Sequence, residues 1–168
     1  MWCKLYEAAV ALQDLHDRNI IHGDLKPASI RIGRDGMAHL CGIEFSKRVR
    51  ELESSTTNDL KGVRWQAPEC LRGKKASFAA DVFSLGMCVI YTVSGTPPWN
   101  SALSDEEVKI QVCEKKALPP VPAELNGDQE QLVTGMCCYD PLMRLHLSEV
   151  VRQLAKLLLP MAQQWTCP

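Results

Sequence analysis

Residues 20–32 read Ile20-Ile21-His22-Gly23-Asp24-Leu25-Lys26-Pro27-Ala28-Ser29-Ile30-Arg31-Ile32. A Gly33-Arg34-Asp35-Gly36 turn follows, and then Met37-Ala38-His39-Leu40-Cys41-Gly42-Ile43-Glu44. Two short apolar runs flanking a Gly/Asp turn predict a β-hairpin, because Gly and Asp adopt turn conformations that β-branched residues cannot. His22, Asp24 and Lys26 fall within five residues on the loop just before the first strand. A carboxylate can accept a proton, an ammonium can hold a phosphate oxygen, and an imidazole can brace the loop. The pattern places ionisable groups on a loop held between rigid neighbours, which is where chemistry is usually carried.

Upstream, Leu5, Ala8, Ala9, Leu12 and Leu15 recur at helical spacing and predict a helix over residues 2–17. It starts almost at Met1 with no capping residue before it, so the chain is expected to be cut in mid-helix. Downstream, residues 46–64 are polar, with Ser54, Ser55, Thr56 and Thr57 in a row, and keep no period. A loop with phosphorylatable or merely solvated hydroxyls is expected there. Pro68 suits the first turn of a short helix. Residues 79–95 are apolar nearly all round and predict the buried central helix, with Ser77 as cap and Gly95 as terminator. The Thr96-Pro97-Pro98-Trp99 stretch is expected to be extended. Ser104 and Glu107 have capping-box spacing, opening a helix to about Lys116. A rigid connector follows at 118–122, a short helix at 128–137, and a last helix from 147 to about 159 that Ser148 could cap. The fold class is mainly α, with one core and one small hairpin.

The chain has 168 residues, enough for one domain with a sizeable core. Lys plus Arg number 19 and Asp plus Glu 20, so charge gives no case for a nucleic-acid partner. No apolar run approaches the ~20 residues of a membrane helix, and the N-terminus has no signal-peptide shape. Eight cysteines are scattered without a C-x-x-C pair, which argues against zinc. Reduced, buried cysteines in a cytoplasmic protein are expected.

The segment His22-Gly23-Asp24-Leu25-Lys26-Pro27-Ala28-Ser29 resembles the protein-kinase catalytic loop, H-R-D-L-x-x-x-N. Further motifs follow in the family's order. Ala67-Pro68-Glu69 matches A-P-E, and Arg64-Trp65-Gln66 before it is similar to the R-W-M of tyrosine-kinase-like serine/threonine kinases. Asp81-Val82-Phe83-Ser84-Leu85-Gly86 resembles D-V-W-S-x-G. Pro97-Pro98-Trp99 and the Asp140-Pro141…Arg144 pattern complete the series. The resemblance covers essentially the whole chain and implies an α+β family fold, of which this chain is the helical C-terminal lobe over 1–159 with a tail at 160–168. The N-terminal lobe is then absent from the sequence or supplied by a longer chain.

The resemblance also implies roles. Asp24 would be the catalytic base and Lys26 a phosphate contact, with ATP and Mg²⁺ as the family's cofactors and a protein hydroxyl as substrate. Glu69 would pair with Arg144 in a buried ion pair, and Asp81 would accept hydrogen bonds from the backbone around His22. These four, His22, Glu69, Asp81 and Arg144, are structural in the family. The departures fall on the chemistry. Ser29 replaces the metal-binding Asn, and Gly42 falls where the DFG Asp is expected, with Glu44 two residues later. Arg31 occupies the position that floors the adenine. Gly23 replaces the Arg that reads a phosphorylated loop, and Gly62 stands near the position of a Thr that contacts the catalytic Asp. There is no G-x-G-x-x-G loop and no V-A-I-K lysine. The expectation is a kinase-family chain of serine/threonine type with absent or very weak activity. Two alternatives stay open: a pseudokinase-type docking module for a protein partner, or a truncated fragment with no independent role.

Overall fold

The computed structural model describes residues 1–42, 47–48 and 62–162. In chain order they form helix α1 (Trp2–Asp17), strands β1 (Ile20–Ile21), β2 (Ile30–Ile32), β3 (Ala38–Leu40) and β4 (Lys47–Arg48), then helices α2 (Pro68–Leu71), α3 (Phe78–Ser94), α4 (Asp105–Cys113), α5 (Gly127–Met136) and α6 (Leu147–Ala162). Short 3-10 helices lie at Pro27–Ser29 and Val63–Trp65. The fold is mainly helical.

α3 is the axis. Every residue from Ala80 to Ile90 is buried, so the helix has no solvent face over three turns. Its start is fixed by Ser77, whose hydroxyl accepts the Ala80 N–H, and its end by Gly95, which takes the left-handed conformation and donates its N–H to the Tyr91 carbonyl. At Gly86 a side chain would meet Cys137 Sγ at 2.5 Å, so glycine permits the close approach of α3 to the end of α5. α1 buries Leu5, Ala8, Ala9, Leu12 and Leu15, the five residues of its apolar stripe. It packs against α6, β3 and α3. Leu147, Val150 and Leu154 of α6 complete the same core. A smaller cluster of Val63, Leu71, Val108 and Val112 joins α2 to α4.

β2 and β3 form the hairpin, antiparallel, with Ile30 opposite Leu40, Arg31 opposite His39 and Ile32 opposite Ala38. Glu7 of α1 ties it down, accepting the Ala38 N–H at 2.7 Å and the Lys4 ammonium at 2.9 Å. Several details depart from the sequence-based expectations. Lys47–Arg48 is not loop but a strand, β4, paired antiparallel with β1 in a second two-stranded sheet. Pro97–Asn100 is not extended but turns: Asn100 N–H bonds the Pro97 carbonyl, and Trp99 and Asn100 have φ of 71° and 51°. α4 stops at Cys113, and Lys116 lies beyond it with a φ of 52°. α5 opens on an unforeseen capping box, Asn126 with Gln129, whereas the Ser104–Glu107 box is where the spacing put it. Ser148 sits inside the first turn of α6, and that helix runs on through Pro160 to Ala162. Ile43, Glu44 and the hydroxyl run at 54–57 lie outside the described residues.

The seven described cysteines, Cys3, Cys41, Cys70, Cys88, Cys113, Cys137 and Cys138, are free thiols. Burial pushes the Cys88 thiol far up and those of Cys137 and Cys70 to about 12. Only thiolate reacts with disulfide reagents. In a timed reaction with an aromatic disulfide at neutral pH, these three sites are expected to stay unmodified in the folded chain and to react on adding denaturant. Their modification at the rate of Cys3 would contradict the packing.

Candidate functional site

The start of the loop between β1 and β2 is held by one buried side chain. Asp81, in the first turn of α3 and 1% exposed, accepts the His22 N–H at 2.8 Å and the Gly23 N–H at 2.9 Å. Its Oδ2 also lies 2.9 Å from His16 Nε2, at the last turn of α1. Gly23 has a φ of +78°, a conformation that side chains disfavour, and its Cα faces Ala76, whose Cβ would lie 3.6 Å from an added Cβ. The chain thus turns through His22 and Gly23 against the end of the segment that leads into α3.

His22 is fully buried. Its Nδ1 accepts the Asp24 N–H at 3.4 Å, and its Nε2 donates to the Cys41 carbonyl at 3.1 Å. One imidazole therefore links the loop to the exit of the hairpin, and its two partners fix which nitrogen carries the proton. The Asp24 carboxylate, partly exposed, holds the Lys26 ammonium at 2.6 Å through Oδ2. Its Oδ1 faces Gly62, where an added Cβ would lie 3.7 Å away. Asp24 and Lys26 are brought together at the surface, an acceptor for a proton beside a cation for an anionic group.

Ser29 is 5% exposed and already engaged. Its hydroxyl donates to the Asp24 carbonyl at 3.1 Å, and its own carbonyl accepts the Cys41 N–H at 2.8 Å. Gly42 stands beside it, its Cβ position 3.9 Å from both Ser29 Oγ and His22 Cε1. The two positions for which the resemblance implies metal ligands are therefore neighbours. One carries a hydroxyl and the other nothing. Among the described residues no group of three or more His, Cys, Asp or Glu could hold a metal ion. Arg31 lies exposed on β2, opposite His39. A groove of about 370 Å³ lies elsewhere, lined by Met1, Leu5, Pro27, Ile30 and Tyr91 among others, without Asp24 or Lys26.

A second buried charge pair anchors the segment after the candidate site. Arg144 Nη1 and Nη2 each meet a Glu69 oxygen at 2.6 Å. The remaining donors are spent on the carbonyls of Cys138, Ala79 and Tyr139, and the guanidinium stacks on Phe83 at 5.0 Å. All five donors are used, which is the condition under which a buried guanidinium is tolerated. Two residues escaped sequence reasoning. His16 carried a signal, since it lies four residues after Leu12 beside the buried stripe. Arg64 carried little. It reaches the carbonyls of Pro98, Asn100 and Leu103 and the Asp105 carboxylate, holding the turn at 97–103 in place.

Residues 4–154 match the protein kinase domain family. Mitogen-activated protein kinase kinase kinase 3 of Arabidopsis thaliana is 31% identical over 147 residues, covering 85% of this chain and 22% of that protein. The serine/threonine-protein kinase RUNKEL of the same plant is 30% identical over 148 residues, covering 86% and 11%. Human mitogen-activated protein kinase kinase kinase 4 is 26% identical over 155 residues, covering 86% and 9%. The chain spans about a fifth or less of the length of these relatives.

Removing one partner of the Glu69–Arg144 pair leaves a buried, uncompensated charge. Arg144→Ala and Glu69→Ala are each expected to cost ~3–5 kcal/mol in denaturant unfolding. The double substitution is expected to cost clearly less than the sum. Full additivity would contradict the pairing.

Proposed function

This chain belongs to the protein kinase domain family, and on that premise we propose that it is the C-terminal lobe of a serine/threonine-type kinase domain whose phosphoryl-transfer chemistry is absent or very weak. The observation that carries the reading is a contrast among four neighbouring positions, Asp24, Lys26 and Ser29 before the hairpin and Gly42 after it. Asp24 and Lys26 stand side by side, as a base and a phosphate contact would, while Ser29 carries only a neutral, buried hydroxyl and Gly42 no side chain. In the family, two Mg²⁺ ions are held by the loop Asn and the DFG Asp and neutralise the charge that develops on the transferred phosphoryl group. The residues described here do not fit that pair. The Ser29 hydroxyl is a neutral, weak ligand and the residue is 5% exposed, and Gly42 has no side chain and a φ of +87°, which strains a residue that would supply one.

What the chain's own residues could do is limited and specific. Asp24 Oδ2 could accept the proton of a protein hydroxyl once Lys26 swings toward an anion. Lys26 could hold a phosphate oxygen, and His22 would keep the loop in register through Cys41. Positioning and electrostatic stabilisation supply nearly all of the catalysis in phosphoryl transfer. Loss of both metal positions therefore removes most of it. The Gly-rich loop and the lysine that cover the nucleotide phosphates in the family are not found in these 168 residues. The substrate of any residual reaction is proposed to be a protein hydroxyl, as for the kinases it is similar to.

A second reading, a docking module for a protein partner, draws support from the scaffold. Asp81, Glu69 and Arg144 are buried and saturated with hydrogen bonds, although none of them touches reacting atoms in the proposed chemistry. A shape held this firmly serves binding as well as it serves catalysis.

Transfer of radioactive phosphate from Mg-ATP to a generic protein substrate is expected to stay at background, and millimolar Mg-ATP is expected to leave the melting temperature unchanged. Clear turnover that Asp24→Asn abolishes would contradict the proposal. So would a nucleotide-dependent rise in melting temperature, which mass action requires if the folded chain binds.

A further inference from the structure

A cluster of cations lies outside the candidate site. α2 ends in a closed turn in which the Gly73 N–H bonds the Cys70 carbonyl and the Lys74 N–H bonds the Glu69 carbonyl. Arg72, Lys74 and Lys75 are all exposed on it. α4 ends in a second closed turn: the Lys115 N–H bonds the Ile110 carbonyl, and the Ala117 N–H bonds that of Gln111. Lys115 and Lys116 are exposed there. Arg72 joins the two turns. Its Nη2 donates to the Cys113 carbonyl at 2.6 Å, and its guanidinium stacks on Tyr139 at 5.1 Å. That guanidinium is therefore spent on structure, leaving four lysine ammoniums on two ordered turns. Among the described residues none of the four makes an ion pair, and Glu114 is the one carboxylate on these turns.

Two features give the cluster a direction. Lys116 holds a φ of 52°, where a helix end usually places Gly or Asn, so the cation is kept at a conformational cost. The Lys74–Lys75 turn continues into Ala76, which abuts Gly23 of the Asp24 loop. The cationic face thus borders the loop at which the protein substrate or partner is placed.

We propose that this face is a docking surface for a Glu/Asp-rich segment of a partner protein. Four ammoniums against the single exposed carboxylate of Glu114 raise the potential above the surface, which speeds the approach of an acidic segment and fixes its register. An acidic polypeptide fits better than the other polyanions. The opposite end of α4 presents Asp105, Glu106 and Glu107 to solvent, and the chain's formal charge is −1, so an extended nucleic acid crossing this helix would meet repulsion. A membrane surface fits poorly too, since Ile110 is the one large exposed apolar side chain at these two turns, too little to insert into a bilayer. The surface does not depend on phosphoryl transfer and holds whether or not the chain turns over.

The test is fluorescence anisotropy of a labelled Glu/Asp-rich decapeptide with the full chain. K74E/K75E and K115E/K116E are each expected to weaken binding by about tenfold. The charge-matched R34E/K156E, on other faces, is expected to leave it within about twofold. Raising salt from about 50 to about 200 mM should weaken wild-type binding several-fold and leave the two lysine variants little affected. Equal loss in all three variants would mean diffuse charge attraction and overturn the proposal. So would no measurable binding, or a short DNA duplex or anionic vesicle binding more tightly than the peptide through the same lysines. Lys→Gln versions of each pair serve if a charge-reversed chain fails to give a cooperative melt.

Discussion

The structure turns on one buried carboxylate. Asp81 is taken out of water at the start of α3, which would cost several kcal/mol if its charge were left bare. It is not left bare: two backbone N–H groups of the His22–Gly23 turn and the His16 imidazole converge on it. The donors come from two segments distant from Asp81 in sequence, the end of α1 and the loop after β1. Three pieces of chain, the end of α1, the loop after β1 and the start of α3, are thereby fixed to one point. The start of the Asp24 loop is held at that point, and Gly23, His22 and Ser29 shape the rest of it.

The Glu69–Arg144 pair does for the later half of the chain what Asp81 does for the earlier half. Its five donors bind α2, the start of α3 and the segment before α6 into one unit. Neither network needs the residues that would perform chemistry. Ser29 shows the separation most clearly: its hydroxyl stabilises the loop by donating to the Asp24 carbonyl, a contact that needs no metal. The fold can persist while the catalytic positions drift, because the scaffold's polar groups satisfy one another.

The sequence made some parts legible and hid others for physical reasons. The α1 stripe was readable because helical periodicity reports burial, and α3 because a helix apolar nearly all round must be buried. Ser77 and the Ser104–Glu107 box were readable because capping is a local interaction. β4 was not, since two charged residues carry no alternation and pair only because β1 lies beside them. The turn at Pro97–Asn100 was misread as extended. Prolines bias their neighbours, but Arg64 from another part of the chain gathers the Pro98 and Asn100 carbonyls there and the Leu103 carbonyl just beyond. Pro160 did not stop α6 at once: the helix runs two residues further, so the donor that proline lacks is lost only in its last turn. In the candidate site, the loop and its motif order were visible from residue types alone. The engaged state of Ser29, the neighbourhood of Gly42 and the part played by His16 required three dimensions.

The central claim is that the Asp24 loop is held by Asp81 independently of any catalytic contact. Native-state amide exchange at His22 and Gly23, in the wild type and in Asp24→Asn, tests it most directly. Both amides are expected to exchange only with global unfolding, and equally slowly in the two proteins. Rapid exchange of either amide through local opening in the wild type, or protection that is lost with the Asp24 carboxylate, would contradict the account.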